Sequence, residues 1–230
     1  MKWRSLEESA SLSETRSLRE IYADRKELNE KYVPAEIRAV HSRVVAELKA
    51  SGIAGRALKP GTAAPQFDLP DQNGKPARSA DLLERGPLIV LFIRGRWCPF
   101  CVGQLEAMNA IVPQIQSLGA SLVAISPQTI RQNLLMADQH KLCFPVLNDP
   151  ANKFARQYGL IYQVPDYQRE IYRRAFVNLP FLNGDETWEL PISATYILGQ
   201  NGVIVYASSD PDYTARPEPA EIVQFLSSRR

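Results

Sequence analysis

Apolar positions in the first 57 residues recur at helical spacing. Leu18, Ile21, Tyr22, Leu28 and Tyr32 share one face. Ile37, Val40, His41, Val44 and Leu48 share another, after Pro34, which suits a first helical turn. Neither helix is apolar enough to stand alone. The segment is therefore expected to dock on the rest of the chain, or on a second copy of it to make a homodimer. Gly52, Gly55, Pro60 and Gly61 then break the pattern. They divide the chain into a helical extension, 1–57, and a main domain, 58–230.

In the main domain Phe67 and Leu69 alternate with polar residues, and Asn73-Gly74 marks a hairpin turn. Residues 79–84 read as a short helix. Residues 87–93 form an unbroken apolar run, the mark of a strand buried on both faces. The spacing predicts a helix over 98–118, with Cys101, Leu105, Met108, Val112 and Ile115 in one stripe and a kink at Pro113. A second buried strand at 121–126 completes a right-handed parallel crossover. A helix at 129–140, a strand at 143–147 and a short helix at 151–158 follow. The pattern over 160–190 is weak and predicts loop, with one helical turn near 167–173. Two strands, 194–198 and 203–207, flank Gln200-Asn201-Gly202, a hairpin signal. A last helix is expected over 217–226.

The formal net charge of +2 on 230 residues leaves no nucleic-acid footprint. No apolar run approaches the roughly 20 residues that span a bilayer. Glu7, Glu8, Glu14 and Glu20 speak against a secretory or transit leader, so a cytoplasmic protein is expected. Three cysteines do not build a disulfide framework. In a reducing compartment a Cys-x-x-Cys pair is more often catalytic or metal-binding than structural.

That pair is Cys98 and Cys101, in Trp97-Cys98-Pro99-Phe100-Cys101, at the junction of the 87–93 strand and the following helix. Residues three apart in a first helical turn can bring their sulfurs within disulfide reach. Unpaired N–H groups and the positive dipole end of the helix favour thiolate at Cys98. Cys98 is thus the expected nucleophile, open to solvent, and Cys101 the more buried resolving cysteine. Pro99 suits the first helical position, Trp97 is expected to wall the site, and Arg94 and Arg96 to add positive potential. Zinc would need about four ligands, and no second Cys or His pair is present. No cofactor or metal is expected. Cys143 reads as plain core, His41 as a packed and hydrogen-bonded histidine, and His140 as a cation suited to a helix end.

The order β-α-β, hairpin, α, with a redox pair closing the first strand, is the thioredoxin arrangement: an α/β fold with a central mixed sheet flanked by helices. Several segments carry a narrower likeness. They are Pro60-Gly61-Thr62-Ala63-Ala64-Pro65 with Asn73-Gly74-Lys75, the loop Arg94-Gly95-Arg96-Trp97-Cys98-Pro99-Phe100-Cys101, Val123-Ala124-Ile125-Ser126-Pro127-Gln128, Phe144-Pro145-Val146-Leu147-Asn148-Asp149-Pro150, Ala194-Thr195-Tyr196-Ile197-Leu198 and Asp210-Pro211-Asp212-Tyr213-Thr214. Together they resemble the alkyl hydroperoxide reductase/thiol-specific antioxidant group, the peroxiredoxin-like branch of the thioredoxin superfamily. The resemblance implies reduction of a peroxide substrate by the cysteines, with a thiol reductant such as thioredoxin or glutathione restoring them. It departs at two places, where Leu91 and Gly95 stand for the Pro and Thr that precede the reactive cysteine of peroxiredoxins. The Trp-Cys-x-x-Cys loop is similar to that of thiol–disulfide oxidoreductases, which keeps that activity as the alternative. A non-enzymatic redox sensor is a third reading. Thioredoxin-like proteins also place a cis-proline beside the cysteines, and Pro191 is the candidate here.

Overall fold

The structure is a computed structural model that describes residues 17–229, so the helical reading of residues 1–16 lies outside it. Helix α1 (Leu18–Tyr32) opens on a capping box: the Ser17 hydroxyl accepts from Glu20 N and the Glu20 carboxylate accepts from Ser17 N. Helices α2 (Ala35–Ala50) and α3 (Ile53–Arg56) follow. Strands β1 (Asp68–Pro70) and β2 (Pro76–Arg78) form the expected hairpin, ahead of α4 (Ser79–Leu83).

The expected crossover is β3 (Leu88–Phe92), α5 (Pro99–Ala110), α6 (Val112–Ser117) and β4 (Ser121–Ser126). The chain breaks between α5 and α6 at Ile111, as Pro113 requires: it has no N–H to bond back one turn. Helix α7 (Ile130–Gln139) is capped by Thr129, whose hydroxyl accepts from Gln132 N. It leads into β5 (Val146–Asn148), a 3₁₀ turn (Pro150–Asn152) and α8 (Lys153–Gln157).

The segment 160–190 is more ordered than its pattern suggests. It holds β6 (Ile161–Gln163), α9 (Asp166–Arg174), α10 (Leu179–Asn183) and β7 (Glu189–Pro191). Strands β6 and β7 pair with each other across the two helices, a long-range contact that no local periodicity reveals. The chain ends with β8 (Ser193–Leu198), β9 (Ile204–Asp210) and α11 (Pro219–Ser227).

The central sheet has the order β5-β4-β3-β8-β9. Strands β4 and β5 run parallel to β3's direction, and β8 and β9 are antiparallel to their neighbours. Alternation along β3 explains its unbroken apolar run. Leu88, Val90 and Phe92 enter the core that holds α2, α8 and α9, whereas Ile89, Leu91 and the following Ile93 enter the core that holds α1, α5, α6, α7 and α11.

Three expectations need correction. The strand predicted from residue 143 starts only at Val146, because Pro145 has no N–H for the ladder. Cys143 is therefore exposed, and its thiol donates to Asn109 Oδ1 at 2.9 Å. Leu28 and Tyr32 do not join the apolar face of α1. They are 43% and 63% exposed, because only the first half of α1 lies on the domain. Pro191 is not cis, since no described peptide bond is. Among the described residues no helix is long and apolar enough to cross a membrane.

The N-terminal helices dock on the redox segment itself. The Tyr22 hydroxyl donates to Phe100 O and the Arg25 guanidinium to Pro99 O. The backbone N–H groups of Leu18 and Arg19 both donate to the Glu218 carboxylate. Helix α2 lies alongside α9, and Val44 is its one buried side chain, worth about 2 kcal/mol of apolar burial.

Candidate active site

The β3–α5 connection fixes both cysteines. Cys98 is the N-cap of α5, in extended geometry, and Pro99 is the first helical residue, where its missing N–H costs nothing. Cys101 lies one turn on and faces back toward β3. Its sulfur accepts from Arg94 N at 3.5 Å. The two thiols are free and buried.

Both sulfur-bearing residues have no solvent exposure at all. This corrects the expectation that Cys98 would be reachable from solvent and Cys101 alone buried. The cause is the extension and the 160–190 segment, which roof the loop with α1, α2 and α9.

Arg94 is the centre of the site. Its Nη2 lies 3.0 Å from Cys98 Sγ, and its guanidinium sits over the rings of Tyr213 (4.4 Å to the centroid) and Trp97 (5.1 Å). Arg94 is 5% exposed, yet among the described residues it makes no ion pair with a carboxylate. A buried guanidinium needs an anion. The groups that supply negative charge here are the cysteine sulfurs. Arg216 approaches from the other side, with Nη2 3.8 Å from Cys101 Sγ and a hydrogen bond to Ser193 Oγ.

These cations decide how the pair titrates. Burial resists ionisation of Cys101, but the hydrogen bond from Cys98, then Arg216, Arg94 and the Arg94 N–H, hold its thiol well below the usual range. Burial and the hydrogen bond to Cys101 push Cys98 well above it, against Arg94. The two arginines therefore favour one thiolate shared by the pair.

Tyr162, Tyr172 and Tyr213 surround Arg94, each with its hydroxyl pushed up by burial. His41 packs near Tyr213 and Tyr172, and its Nδ1 lies 3.4 Å from Gln168 Nε2. Burial, then Arg94, lower its pKa to about 4, so it is neutral near pH 7. His140 pairs with Glu106 at 2.9 Å, outside the site.

Trp97 walls the site, edge-on to Tyr172 at 5.1 Å. Arg96 points elsewhere: its guanidinium reaches Gln132 and Gln139, each at 3.5 Å. Pro191 lies in β7, next to Ile192 and Ser193, which line a small cavity at Arg94. Sequence reasoning missed Arg216, Tyr162, Tyr172, Tyr213 and Gln168. Tyr213 lies in a segment that carries the family likeness, and Gln168 and Tyr172 lie in the expected helical turn near 167–173, but nothing in those patterns tied them to the cysteines.

Gly95 explains the missing Thr. Its φ is +142°, and a Cβ there would lie 2.6 Å from Gln128 Cδ and 2.9 Å from Trp97 Nε1. Gln128 Oε1 in turn accepts from Arg96 N at 2.7 Å. The loop is packed around the absence of a side chain.

Fold and site together define a thioredoxin-like α/β protein with a buried dithiol held between two arginines. The chain belongs to the AhpC/TSA family, whose model matches residues 60–207, and is a peroxiredoxin-like member of the thioredoxin superfamily. It is similar to the chloroplastic peroxiredoxin Q of Arabidopsis thaliana, with 28% identity over 167 residues, 71% of this chain and 67% of that one. It is also similar to the thiol-disulfide oxidoreductase ResA of Geobacillus thermodenitrificans, with 30% identity over 105 residues, 45% of this chain and 59% of that one. In fold it resembles the crystal structure of peroxidoxin BcpB from Mycobacterium tuberculosis (TM-score 0.61, 21% identity), covering 75% of this chain and 99% of that one. Helices α1 and α2 lie outside the family match.

Proposed function

We propose that this protein is a thiol peroxidase working through Cys98 and Cys101. Cys98 thiolate attacks one peroxide oxygen, the O–O bond breaks, and the other oxygen leaves as water or alcohol after taking a proton. Cys98 becomes a sulfenic acid. The Cys101 thiol then displaces water from it, closing a disulfide. A thiol reductant of the thioredoxin or glutathione class opens that disulfide by exchange, taking up the oxidising equivalents as its own disulfide.

The observation that carries this reading is burial. Both cysteines have zero exposure, and a small cavity nearby is lined by Arg94, whose guanidinium bonds Cys98 Sγ. A small peroxide needs far less opening to reach such a site than a protein does. A protein disulfide, the substrate of the rival oxidoreductase reading, needs a larger opening. The likeness to ResA and the Trp97-Cys98 loop favour that rival, and family membership favours the peroxidase.

Stopped-flow peroxide consumption with dithiothreitol as reductant tests the reading. With the reductant wild type should turn over and Cys98→Ser should not, and without it Cys101→Ser should consume one equivalent and keep a dimedone-reactive sulfenic acid that wild type converts to disulfide. Reduction of insulin disulfides without peroxide turnover would transfer the site to the rival.

A further inference from the structure

We infer that the groove along β9 binds a low-molecular-weight thiol carrying carboxylates, and that this thiol opens the disulfide by attacking Cys101. The inference rests on the dithiol reading above and adds the class of reductant and the sulfur it attacks.

The groove holds about 470 Å³, within the range of small-molecule sites. Tyr206 to Asp210 of β9, the edge strand of the central sheet, form one side of it. Three cations line it: Arg19 of α1, Lys59 and Arg216. Two carboxylates line it as well, and both have partners. Glu221 lies 3.7 Å from Arg19, and Asp210 accepts from Asp212 N at 2.8 Å. Among the described residues Lys59 and Arg216 make no ion pair with a carboxylate. A guest carboxylate would therefore meet two cations that hold no carboxylate of their own. All three cations lie outside the 60–207 family match, so the matched region does not supply this charge.

Arg216 connects the groove to the redox pair. Its Nη2 bonds Ser193 Oγ and lies 3.8 Å from Cys101 Sγ. Its Nη1 donates to Ala215 O at 2.7 Å, and its Nε is buried without a partner. One side chain thus stands between the groove and Cys101. The approach to Cys98 is through Arg94 and the Trp97 and Tyr213 rings beneath it.

The exchange needs two thiols. The bound thiolate attacks Cys101 Sγ. The Cys98–Cys101 bond breaks, and Cys98 leaves as a thiolate beside Arg94, whose Nη2 lies 3.0 Å from it in the dithiol form. A second thiol then attacks the sulfur of the first, and Cys101 leaves as a thiolate facing Arg216. Two thiols become one disulfide, the pair takes up their two electrons, and their protons are shared between the pair and solvent.

The test uses the full chain in a Cys143→Ser background, oxidised with diamide. Loss of the disulfide is followed by acid quench, alkylation of the freed thiols and mass spectrometry. The reductants are mercaptosuccinate, glutathione, mercaptoethanol and cysteamine, each rate divided by that of the same thiol with neutral hydroxyethyl disulfide. The two carboxylate-bearing thiols should lead mercaptoethanol and cysteamine should trail it, with about tenfold between mercaptosuccinate and cysteamine. Lys59→Gln should slow mercaptosuccinate and glutathione about threefold and leave mercaptoethanol unchanged. Salt at about 0.5 M should narrow the spread. In Cys98→Ser, oxidised glutathione should form a mixed disulfide with Cys101 about tenfold faster than it does with Cys98 in Cys101→Ser. Equal normalised rates for all four thiols, reduction by a protein dithiol alone, a Lys59 variant that slows every thiol alike, or faster capture of glutathione by Cys98 would overturn the inference and spare the peroxidase reading. Failure of diamide to join Cys98 to Cys101 would remove the dithiol reading itself, and is told apart because no disulfide would be present to reduce.

Discussion

Arg94→Met tests the electrostatic logic of the site most directly. The substitution keeps a flexible apolar side chain in the space between Trp97 and Tyr213 and removes the charge. A full charge 3.0 Å from Cys98 Sγ is worth about 5 kcal/mol at an effective dielectric of about 20. The guanidinium spreads its charge over three nitrogens, and Arg216 still faces Cys101 at 3.8 Å. About 2–3 kcal/mol of thiolate stabilisation should therefore be lost, a rise of about 100-fold in the proton affinity of the pair. The assay is thiolate absorbance near 240 nm against pH, in a Cys143→Ser background so that the exposed third thiol does not contribute. Wild type should ionise its first proton well below the ordinary thiol range. Arg94→Met should move that transition up by about two pH units. An unchanged titration curve would show that Arg216 and the helix end suffice, and would refute the central role given to Arg94.

Three further outcomes are expected. Gly95→Ala should cost about 1–3 kcal/mol in urea denaturation, because its Cβ meets Gln128 and Trp97 in a region of positive φ. His41 should make stability pH-dependent on the acid side. Its folded pKa of about 4, lowered by burial and by Arg94, lies below the unfolded value near 6.5. Between those values the unfolded chain binds the proton and the folded one does not. Stability contributed by His41 is thus complete above pH 6.5 and lost as pH falls toward 4, by at most about 3 kcal/mol, a slope that His41→Gln should flatten. Finally, the disulfide form should melt below the dithiol form at pH 7. Closing so short a loop contributes about 2 kcal/mol, whereas losing the thiolate strands a buried guanidinium at a cost of about 3–5 kcal/mol. Calorimetry of diamide-oxidised protein checks this, and a higher Tm after oxidation would refute it.

The sheet was legible because its strands are short apolar runs whose order follows the chain. An unbroken run at β3 says that both faces are covered, and the two cores confirm it. The position of the cysteines was legible for the same reason: a strand end and a proline at the first helical turn specify it locally. The environment of the cysteines was not. Arg216 reaches Cys101 across 115 positions of sequence, and Gln168 and Tyr172 come from a segment whose periodicity predicts mostly loop. Those placements depend on β6 pairing with β7 around α9 and α10, and on α2 lying across α9. Exposure of Cys98 was misjudged because a helix N-cap is open in isolation. Only tertiary docking, with α1 on Pro99 and Phe100 and α9 on Trp97, closes it.

The glycine at position 95 and the arginine at position 94 are two halves of one arrangement. Gly95 carries no hydroxyl that could orient a peroxide, and its backbone φ of +142° with Gln128 packed against it admits no side chain. The same turn aims the Arg94 side chain inward, onto Cys98 and under the aromatic rings. Donors that a threonine hydroxyl would supply can then come from the guanidinium. The exchange has a consequence for folding as well as for chemistry. A hydroxyl can be buried with one hydrogen bond, but a guanidinium needs an anion and a roof that keeps water from competing for it. The dithiol supplies the first as a thiolate, and α1, α2 and α9 supply the second. In this protein the N-terminal helices and the charge state of the cysteines therefore belong to the same balance, and neither can be altered without moving the other.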